Sequence, residues 1–370
     1  MAEQRGLFSQ SESGQTVWLD MPSHSSTVET LFRTVHVHLA TEDDYRDFVR
    51  RMGADGLRKS GGMNSYSFHL PPREPVGWQS KAWASSHSDF TRPQYPVYII
   101  SKGRYRNQQT ARQLACRGVD FTVVVEPQEE SLYRETLPAG RILVLPFSDL
   151  GQGSIPARNF VWNHATAAGA RRHWILDDNI KEFRRHTAGT IYPTGDGLCF
   201  RAVEEMADRY TNVPMAGLNY QNFVARNGGS PPVTMNTRIY SMILLSNKPK
   251  DRLMWRGRYN EDTDLSLRFL KRGDCTILCN HFTGDKVTTM TMSGGNADIY
   301  SETDNRQEFA ESLRRQHPDV VSVIKKWGRW HHLVNYRPFM RNKPVAVPGR
   351  ARVIIPEPVL IPWRLAGGDS

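Results

Sequence analysis

Between residues 95 and 180, short apolar runs alternate with longer segments of mixed polarity. Four runs are largely apolar: YPVYIIS (95–101), FTVVVEP (121–127), RILVLPF (141–147) and HWILDDNI (173–180). The segments between them, at 107–118, around 129–135 and at 155–170, have helical composition. Buried strands that alternate with helices are typical of βαβ units. They predict an α/β fold with a mostly parallel, Rossmann-like sheet flanked by helices.

Ligands bind such sheets at the carboxyl ends of the strands. The segments that follow the predicted strands are therefore candidates for a site: Ser101–Arg106, Glu126–Pro127 and Asp177–Asn179. Two adjacent carboxylates, Asp177 and Asp178, are costly to hold together unless a cation neutralises them. Mg²⁺ and Mn²⁺ prefer such oxygen ligands. The alternative is a turn in which an Asp caps a helix formed by the following KEFRR (181–185), and the residues alone leave both open.

A second acidic cluster opens a predicted helix at NEDTDLSLRFLKRG (260–273). Of Glu261, Asp262 and Asp264, at least one is expected to cap the helix N-terminus. A carboxylate left unpaired near an acceptor hydroxyl could serve as a general base. His281 follows the apolar run TILC (276–279), where it is either an ordinary core or surface residue or a metal ligand.

The rest of the chain predicts separate regions. Residues 1–27, rich in Ser, Gly and Gln, are expected to be disordered. Residues 28–72 predict a small α+β unit, with strands at 31–40 and 65–72 around a helix capped by Thr41. Pro and Ser residues at 73–94 indicate a linker. The α/β domain is then expected at 95–300 and a basic, aromatic-rich extension at 301–370.

The charge pattern points to a partner for that extension. The 370 residues carry a formal net charge of +10, and the last fifty hold nine Lys or Arg against two Asp or Glu. This excess favours a polyanionic partner. In KKWGRWHHLVNYRPFMRNK (325–343), aromatic rings alternate with cations, which suits stacking on bases and contact with phosphates. The alternative is that an amphipathic helix in this segment and the apolar arm VIIPEPVLIPW (353–363) pack on the preceding domain while the cations face outward.

Composition excludes several classes. No apolar run approaches the length of a membrane-spanning helix, and the N-terminus lacks the basic and apolar regions of a secretory signal. Four Cys residues without a CxxC pair indicate a reducing, cytosolic setting rather than a disulfide framework. No GxxxxGK loop is present, which excludes the P-loop enzymes.

The order of these motifs resembles a GT-A glycosyltransferase over about residues 95–290. LDDN resembles the DxD-type metal motif of that fold, with Asn179 in the last position, so the principal ligand is either Asp177 or Asp178. VYIISKGRYRNQQT, VVVEP, IPARNFVW, HWILDDNIKEFRRH and TMSGGN (291–296) are further similar to the phage DNA-base glycosyltransferases found beside TET/JBP-type dioxygenases. Members of that family are thought to glycosylate 5-hydroxymethylpyrimidines in DNA.

The resemblance implies roles for individual residues. Nucleotide-sugar binding is expected of Ser101, Lys102, Arg104, Glu126, Arg158, Asn159 and Asp177. Asp177 and Asp178 would hold Mn²⁺ or Mg²⁺, with His281 as a further ligand. Asp262 would be the catalytic carboxylate, with Glu261 as its rival. The DNA contacts are expected to be Lys325, Lys326, Trp327, Arg329, Trp330, Arg337, Arg341 and Lys343.

The expected activity is transfer of a sugar from a nucleoside diphosphate sugar, a UDP-sugar in particular, to a 5-hydroxymethylpyrimidine of phage DNA in the host cytoplasm. 5-Hydroxymethylcytosine is the favoured acceptor. One alternative is a GT-A enzyme with a glycan or protein acceptor, which the basic C-terminus disfavours. Another is a non-catalytic DNA-binding module on a degenerate GT-A fold, which the intact acidic clusters disfavour. A nucleotidyltransferase would share the α/β sheet, paired carboxylates and Mg²⁺.

Overall fold

The computed structural model divides the chain into two compact units, Met1–Val76 and Gly77–Ser370. It describes residues 87–187, 190–225, 230–257, 259–287, 305–326 and 328–349, with short elements outside these ranges. The predicted strand at 31–40, the TMSGGN segment and Trp327 lie outside the described residues.

The first unit contains two short antiparallel strand pairs. They are β1 (Phe8–Gln10) with β2 (Thr16–Trp18), and β3 (Arg58–Lys59) with β4 (Tyr66–Ser67). The pair β1–β2 falls within the stretch expected to be disordered. β4 lies in the predicted strand at 65–72, and Asp43 and Arg46 are helical, as the segment after Thr41 predicts.

A ten-stranded sheet forms the centre of the second unit. Its first half contains β6 (Val97–Ile100), β7 (Thr122–Val125), β8 (Ile142–Val144) and β9 (Arg172–Asp177). Its second half contains β10 (Ile180–Thr187), β11 (Thr190–Pro193), β12 (Met215–Tyr220), β13 (Val233–Met235), β14 (Met242–Ser246) and β15 (Thr276–Lys286). The spatial order is β11-β10-β15-β12-β14-β9-β6-β7-β8, with β13 paired to β15.

The predicted parallel sheet is confirmed for the first half. β9, β6, β7 and β8 are parallel neighbours, and their carboxyl ends therefore meet at one edge of the sheet. The second half is mixed, because β14 runs antiparallel to both β9 and β12, whereas β12 and β15 are parallel. The chain thus has an α/β fold with a mixed, largely parallel central sheet.

Helices cover both faces of this sheet. They are α1 (Gln109–Cys116), α2 (Glu130–Arg134), α3 (Ile155–Ala167), α4 (Leu198–Ala207), α5 (Glu261–Lys271) and α6 (Arg306–Gln316). Successive strand residues point to opposite faces. Ile99 accordingly packs with α1 and α4 in one core, and Tyr98 packs with α3 and α5 in the other. The fully buried Trp174 and Trp162 belong to these two cores, and replacing either with Ala would cost about 3–5 kcal/mol.

The C-terminal region packs against the outer side of α5. α6 is followed by an antiparallel hairpin of β16 (Val321–Lys326) and β17 (Arg329–Val334) and by a 3-10 turn at Arg337–Arg341. Leu267 and Leu270 of α5 share a third core with Leu313, Val321 and Phe339. The tail is therefore a hairpin, and the alternative of an amphipathic helix is wrong for residues 321–334.

The expected linker also contains regular structure. β5 (Ser80–Ser85) pairs antiparallel with β18 (Pro358–Trp363), so a strand of the 73–94 segment is joined to the apolar C-terminal arm. Among the described residues, no helix is both long and apolar enough to span a membrane.

Candidate active site

Asp177 is the last residue of β9, and two cations neutralise it. Its Oδ1 accepts a hydrogen bond from Arg158 Nη2 at 3.3 Å, and its Oδ2 accepts one from Lys286 Nζ at 2.6 Å. Ser241 Oγ also donates to Oδ2, at 2.6 Å. Burial would raise the pKa of the Asp177 carboxyl, but the charges of Lys286 and Arg158 outweigh it and lower the pKa to about 2. Asp177 is therefore ionised at any physiological pH.

Asp178 lies in a different environment. Arg104 makes an ion pair with its Oδ1, and Ser101 Oγ donates to its Oδ2 at 2.7 Å. Ser101 Oγ in turn lies 2.6 Å from the hydroxyl of Tyr133. Burial raises the pKa of the Asp178 carboxyl, and Arg104 opposes that shift. Within the described part of the chain, one cation thus faces Asp178, whereas two face Asp177.

The chemistry of this segment suits a hard cation at Asp178. The neighbouring Asn179 Oδ1 is buried and has no hydrogen-bond partner among the described residues. Mg²⁺ typically uses one or two protein carboxylates and completes its shell with substrate phosphates and water. Within the part of the chain that the structure describes, no three His, Cys, Asp or Glu side chains are grouped as a metal site.

His281 is not brought to the acidic pair. It lies on β15 five residues before Lys286, which contacts Asp177. Five residues of extended strand span roughly 16 Å. Burial and then the charge of Arg185 lower the pKa of His281 to about 4, which places it beside cations instead of carboxylates.

Arg158 joins the two acidic clusters. It lies in the first turns of α3, donates to Asp177, and its Nε lies 3.6 Å from Glu261 Oε1. Ser154 Oγ accepts from Arg158 Nε at 3.0 Å and donates to Glu261 Oε1 at 3.0 Å. The guanidinium also lies over the ring of Trp255, 4.6 Å from its centroid. Arg158 Nη1 is buried without a hydrogen-bond partner among the described residues, which leaves a donor for an anionic ligand.

Glu261, Asp262 and Asp264 open α5 as predicted, but their surroundings differ. Ser154 and Arg158 hold the Glu261 carboxylate, and burial raises its pKa. Asp262 is half-buried, accepts from the backbone N–H of Thr263 at 2.7 Å, and makes no ion pair with a described residue. Of the two rivals, Asp262 is the carboxylate for which the described residues provide no cationic partner.

Asp264 has a structural role. It is fully buried, and its carboxylate binds Arg256 at 2.9 Å, Arg268 at 2.7 Å and His317 Nε2 at 2.9 Å. His317 directly follows α6. This cluster therefore fastens the C-terminal region to the helix that carries Asp262.

The other residues predicted to bind the nucleotide sugar have partners away from Asp177 and Asp178. Lys102 pairs with Glu126 at 2.8 Å and with Asp149 at 2.6 Å. Both ends of the Asn159 amide bind the backbone of Trp255, at 3.0 and 2.8 Å. The structure thus brings Ser101, Arg104 and Arg158 to the two Asp residues and leaves Lys102, Glu126 and Asn159 in neighbouring networks.

Sequence reasoning missed Lys286 and Ser241. Lys286 is the last residue of the CNHFTGDK segment. The only available signal was that Lys286 lies five residues after His281 in a predicted strand, so that the two side chains lie far apart. Ser241 has a φ of 56°, a left-handed conformation that is uncommon for residues other than glycine. Its carbonyl accepts from Asp177 N at 2.9 Å while its hydroxyl binds the Asp177 side chain. No feature of the sequence signals this backbone conformation.

The cations expected to bind DNA are exposed. Lys325, Lys326, Arg329, Arg337, Arg341 and Lys343 have exposed side chains. Trp330 is half-buried, and Lys325 Nζ lies 5.7 Å from the centroid of its ring. Phe339 is buried in the third core. The aromatic residues therefore divide between packing and the surface.

Comparison with known proteins supplies the family. A sequence model described as TET-Associated Glycosyltransferase matches residues 95–295, more than half of the chain. Among solved structures, a "putative nucleotide-diphospho-sugar transferase" from Desulfovibrio desulfuricans G20 is similar at 12% identity, with a TM-score of 0.33, over 61% of this chain and 96% of that chain. No curated protein matches. The chain therefore belongs to the TET-associated glycosyltransferase family.

Proposed function

We propose that this glycosyltransferase moves a sugar from a nucleoside diphosphate sugar, a UDP-sugar in particular, to the hydroxyl of a 5-hydroxymethylpyrimidine in DNA. 5-Hydroxymethylcytosine is the favoured acceptor. One observation carries the proposal: Arg158 links the acidic end of β9 to the acidic start of α5 and retains a buried N–H donor with no partner among the described residues.

Arg158, Arg104 and Lys286 form the donor side of the proposed site. They bring three positive charges to the three carboxylates of Asp177, Asp178 and Glu261, so the charges balance and fixed cations lie where a diphosphate would depart. The N-terminal turn of α3 adds backbone N–H groups that favour an anion. Positive groups fixed in advance stabilise negative charge that develops on the leaving diphosphate.

Asp262 is the proposed general base. It lies one residue from Glu261, which Arg158 ties to the donor side, and it has no cationic partner among the described residues. An unpaired carboxylate can accept the proton of the acceptor hydroxyl as that oxygen attacks the sugar. Glu261 is instead the residue that holds Arg158 in position.

The requirement for Mn²⁺ or Mg²⁺ stays a prediction. Asp178 with Asn179 would hold the cation, because Asp177 is already neutralised by two protein cations. When bound, the cation would add positive charge beside the donor diphosphate.

The DNA acceptor is supported by two observations. The family is named for its association with TET proteins, and the C-terminal hairpin presents exposed Lys325, Lys326 and Arg329. Exposed cations attract the phosphates of nucleic acid, whereas a neutral glycan acceptor has no need of them.

Mass spectrometry of nucleosides tests the proposal. Duplex DNA with 5-hydroxymethylcytosine, 5-hydroxymethyluracil or unmodified cytosine is incubated with the protein, Mn²⁺ and a panel of sugar nucleotides. A hexose or pentose mass on the hydroxymethylated nucleoside alone is expected. Equal UDP release with all three duplexes and no modified nucleoside would exclude a DNA acceptor.

A further inference from the structure

An aromatic cluster lies beside the acidic site, and the proposed function gives it no role. Tyr220, Phe223 and Tyr240 have ring centroids 4.5 to 6.2 Å apart. Tyr240 is buried and Tyr220 is half-buried, but the side chain of Phe223 is 58% exposed. The cluster therefore has a rigid, packed base and one aromatic ring open to solvent.

The cluster is joined directly to the acidic end of β9. Lys286 Nζ, which binds Asp177, lies 3.0 Å from Ser241 Oγ and 3.4 Å from the hydroxyl of Tyr220. Tyr220 and Ser241 are also hydrogen-bonded to each other. A ligand that rests on these rings would thus lie next to the site proposed for the sugar donor.

Hydrogen bonds connect Asp262 to the same cluster: Ile239, which precedes Tyr240, donates its N–H to Ser266 Oγ at 3.1 Å, and that hydroxyl donates to the Asp262 carbonyl at 2.8 Å. Burial is the main cause that raises the pKa values of the Tyr220 and Tyr240 hydroxyls, and the negative charge of Asp262 raises both further. The guanidinium of Arg238 lies over the ring of Tyr240, 4.9 Å from its centroid. The proposed base and one cation therefore border the aromatic cluster.

The C-terminal region reaches this border, because Asn236 Nδ2, two residues before Arg238, donates to the Phe339 carbonyl at 2.9 Å, and His332 lies on β17 of the same region. Burial, and then the charge of Arg238, lower the pKa of His332 to about 4, while Asp262 opposes the shift. The imidazole is accordingly neutral at neutral pH. Its Nε2 atom is buried and has no hydrogen-bond partner among the described residues, which is an uncommon state for a polar atom. A neutral imidazole can offer this nitrogen as either donor or acceptor.

We propose that Tyr220, Phe223, Tyr240 and His332 form an acceptor pocket that takes one pyrimidine base unstacked from the duplex. Phe223 stacks on the base, and His332 Nε2 binds its polar edge. The faces of a base within a duplex are covered by its neighbours, so an aromatic ring can use them only after the base leaves the stack. This inference rests on the proposed function and adds that residues outside the family's matched segment, on the C-terminal hairpin, complete the site.

Four variants test the pocket. Phe223→Ala should lower kcat/KM for hydroxymethylated duplex about tenfold or more, since one stacked base contributes that much. His332→Ala should lower it by about tenfold, because the polar edge of the base loses a buried hydrogen-bond partner. Phe223→Trp should retain activity, because it keeps an aromatic face. Leu333→Ala is the matched control, because Leu333 is exposed on the same strand. The Kd for UDP should not change in any variant.

A fluorescent duplex reports unstacking itself. With 2-aminopurine next to the 5-hydroxymethylcytosine, binding of the wild-type protein should raise the fluorescence, and Phe223→Ala should raise it less at saturating protein. Near-wild-type kcat/KM in both Ala variants, or transfer without a change in fluorescence, would overturn the pocket and leave the proposed function intact. Failure of the wild type to modify any hydroxymethylated DNA would overturn both.

Discussion

The two acidic clusters of this glycosyltransferase are joined by one arginine but differ in their neutralisation. At the end of β9, Asp177 and Asp178 are held by Lys286, Arg158 and Arg104. At the start of α5, Asp262 has no cationic partner among the described residues, although Glu261 beside it does. Carboxylates in ion pairs hold the neighbouring cations in fixed positions, whereas an unpaired carboxylate can accept a proton. From this difference we propose donor binding for the first cluster and acceptor activation for the second.

The sharpest test of this division is Asp262→Asn. Loss of a general base lowers kcat by about 10²–10⁴-fold. The amide is nearly the same size, so Kd for UDP and the thermal unfolding midpoint should stay close to wild type. Asp120→Asn, on the loop before β7, is the matched control. Full turnover by Asp262→Asn would transfer the proposed role to another residue.

Removal of metal tests the first cluster. If Asp178 holds the cation, EDTA should abolish sugar transfer, and Mn²⁺ or Mg²⁺ should restore it. In calorimetric titration of Mn²⁺ in the presence of UDP, Asp178→Asn should weaken binding by at least the 10–100-fold, roughly, that loss of a ligand's outer-shell partner costs, because it removes a ligand itself. Asp177→Asn should weaken it less, because Asp177 is held by protein cations. The reverse order, or activity that is insensitive to EDTA, would contradict the assignment.

The ion pairs of Asp177 should appear in the dependence of stability on pH. Its folded pKa of about 2 lies below the unfolded value of 3.8, so the ionised form is favoured by folding. The shift corresponds to about 2 kcal/mol, which is fully present above about pH 4 and is lost as the pH falls through about 2. Asp177→Asn should lower the unfolding free energy by that order near neutrality.

Urea unfolding at several pH values measures this effect. The difference between wild type and Asp177→Asn should shrink as the pH falls from about 4 to about 2. Asp120→Asn, which is exposed, should unfold like the wild type throughout. A constant difference across that range would show that the charge of Asp177 does not contribute in this way.

The smallest expected effect concerns DNA affinity. Replacing Lys325, Lys326 and Arg329 with Gln should lower the slope of log K against log salt concentration by about 0.9 for each phosphate that is no longer neutralised. The exposed Lys248 and Lys250 provide a control of similar charge elsewhere on the second unit. Point variants are preferable to truncation after residue 320, because Val321 and Phe339 pack on Leu267 and Leu270 of α5. An unchanged salt slope would remove the hairpin from the DNA interface.

Much of the fold could be predicted because its signals are local. Uniformly apolar strands such as VYII and TVVV, separated by helical segments, suffice to indicate parallel βαβ units. The hairpin β16–β17 was harder, because its alternation of basic and aromatic residues is equally compatible with a surface helix. The pairing of β5 with β18 joins segments more than 270 residues apart, and no local pattern records such a partner.

The candidate site likewise has some features that local sequence signals predict and others that depend on remote contacts. Asp177, Asp178 and Asp262 could be predicted because a strand end and a helix start place them at a sheet edge. The sequence alone thus determined the α/β class, the acidic positions and the location of the basic excess. Tertiary structure decided which carboxylate is paired and which is not, because Lys286, Ser241 and Arg158 reach Asp177 from three other elements. Neutralisation depends on distances between side chains that are remote in sequence, whereas strand and helix patterns depend on neighbours along the chain.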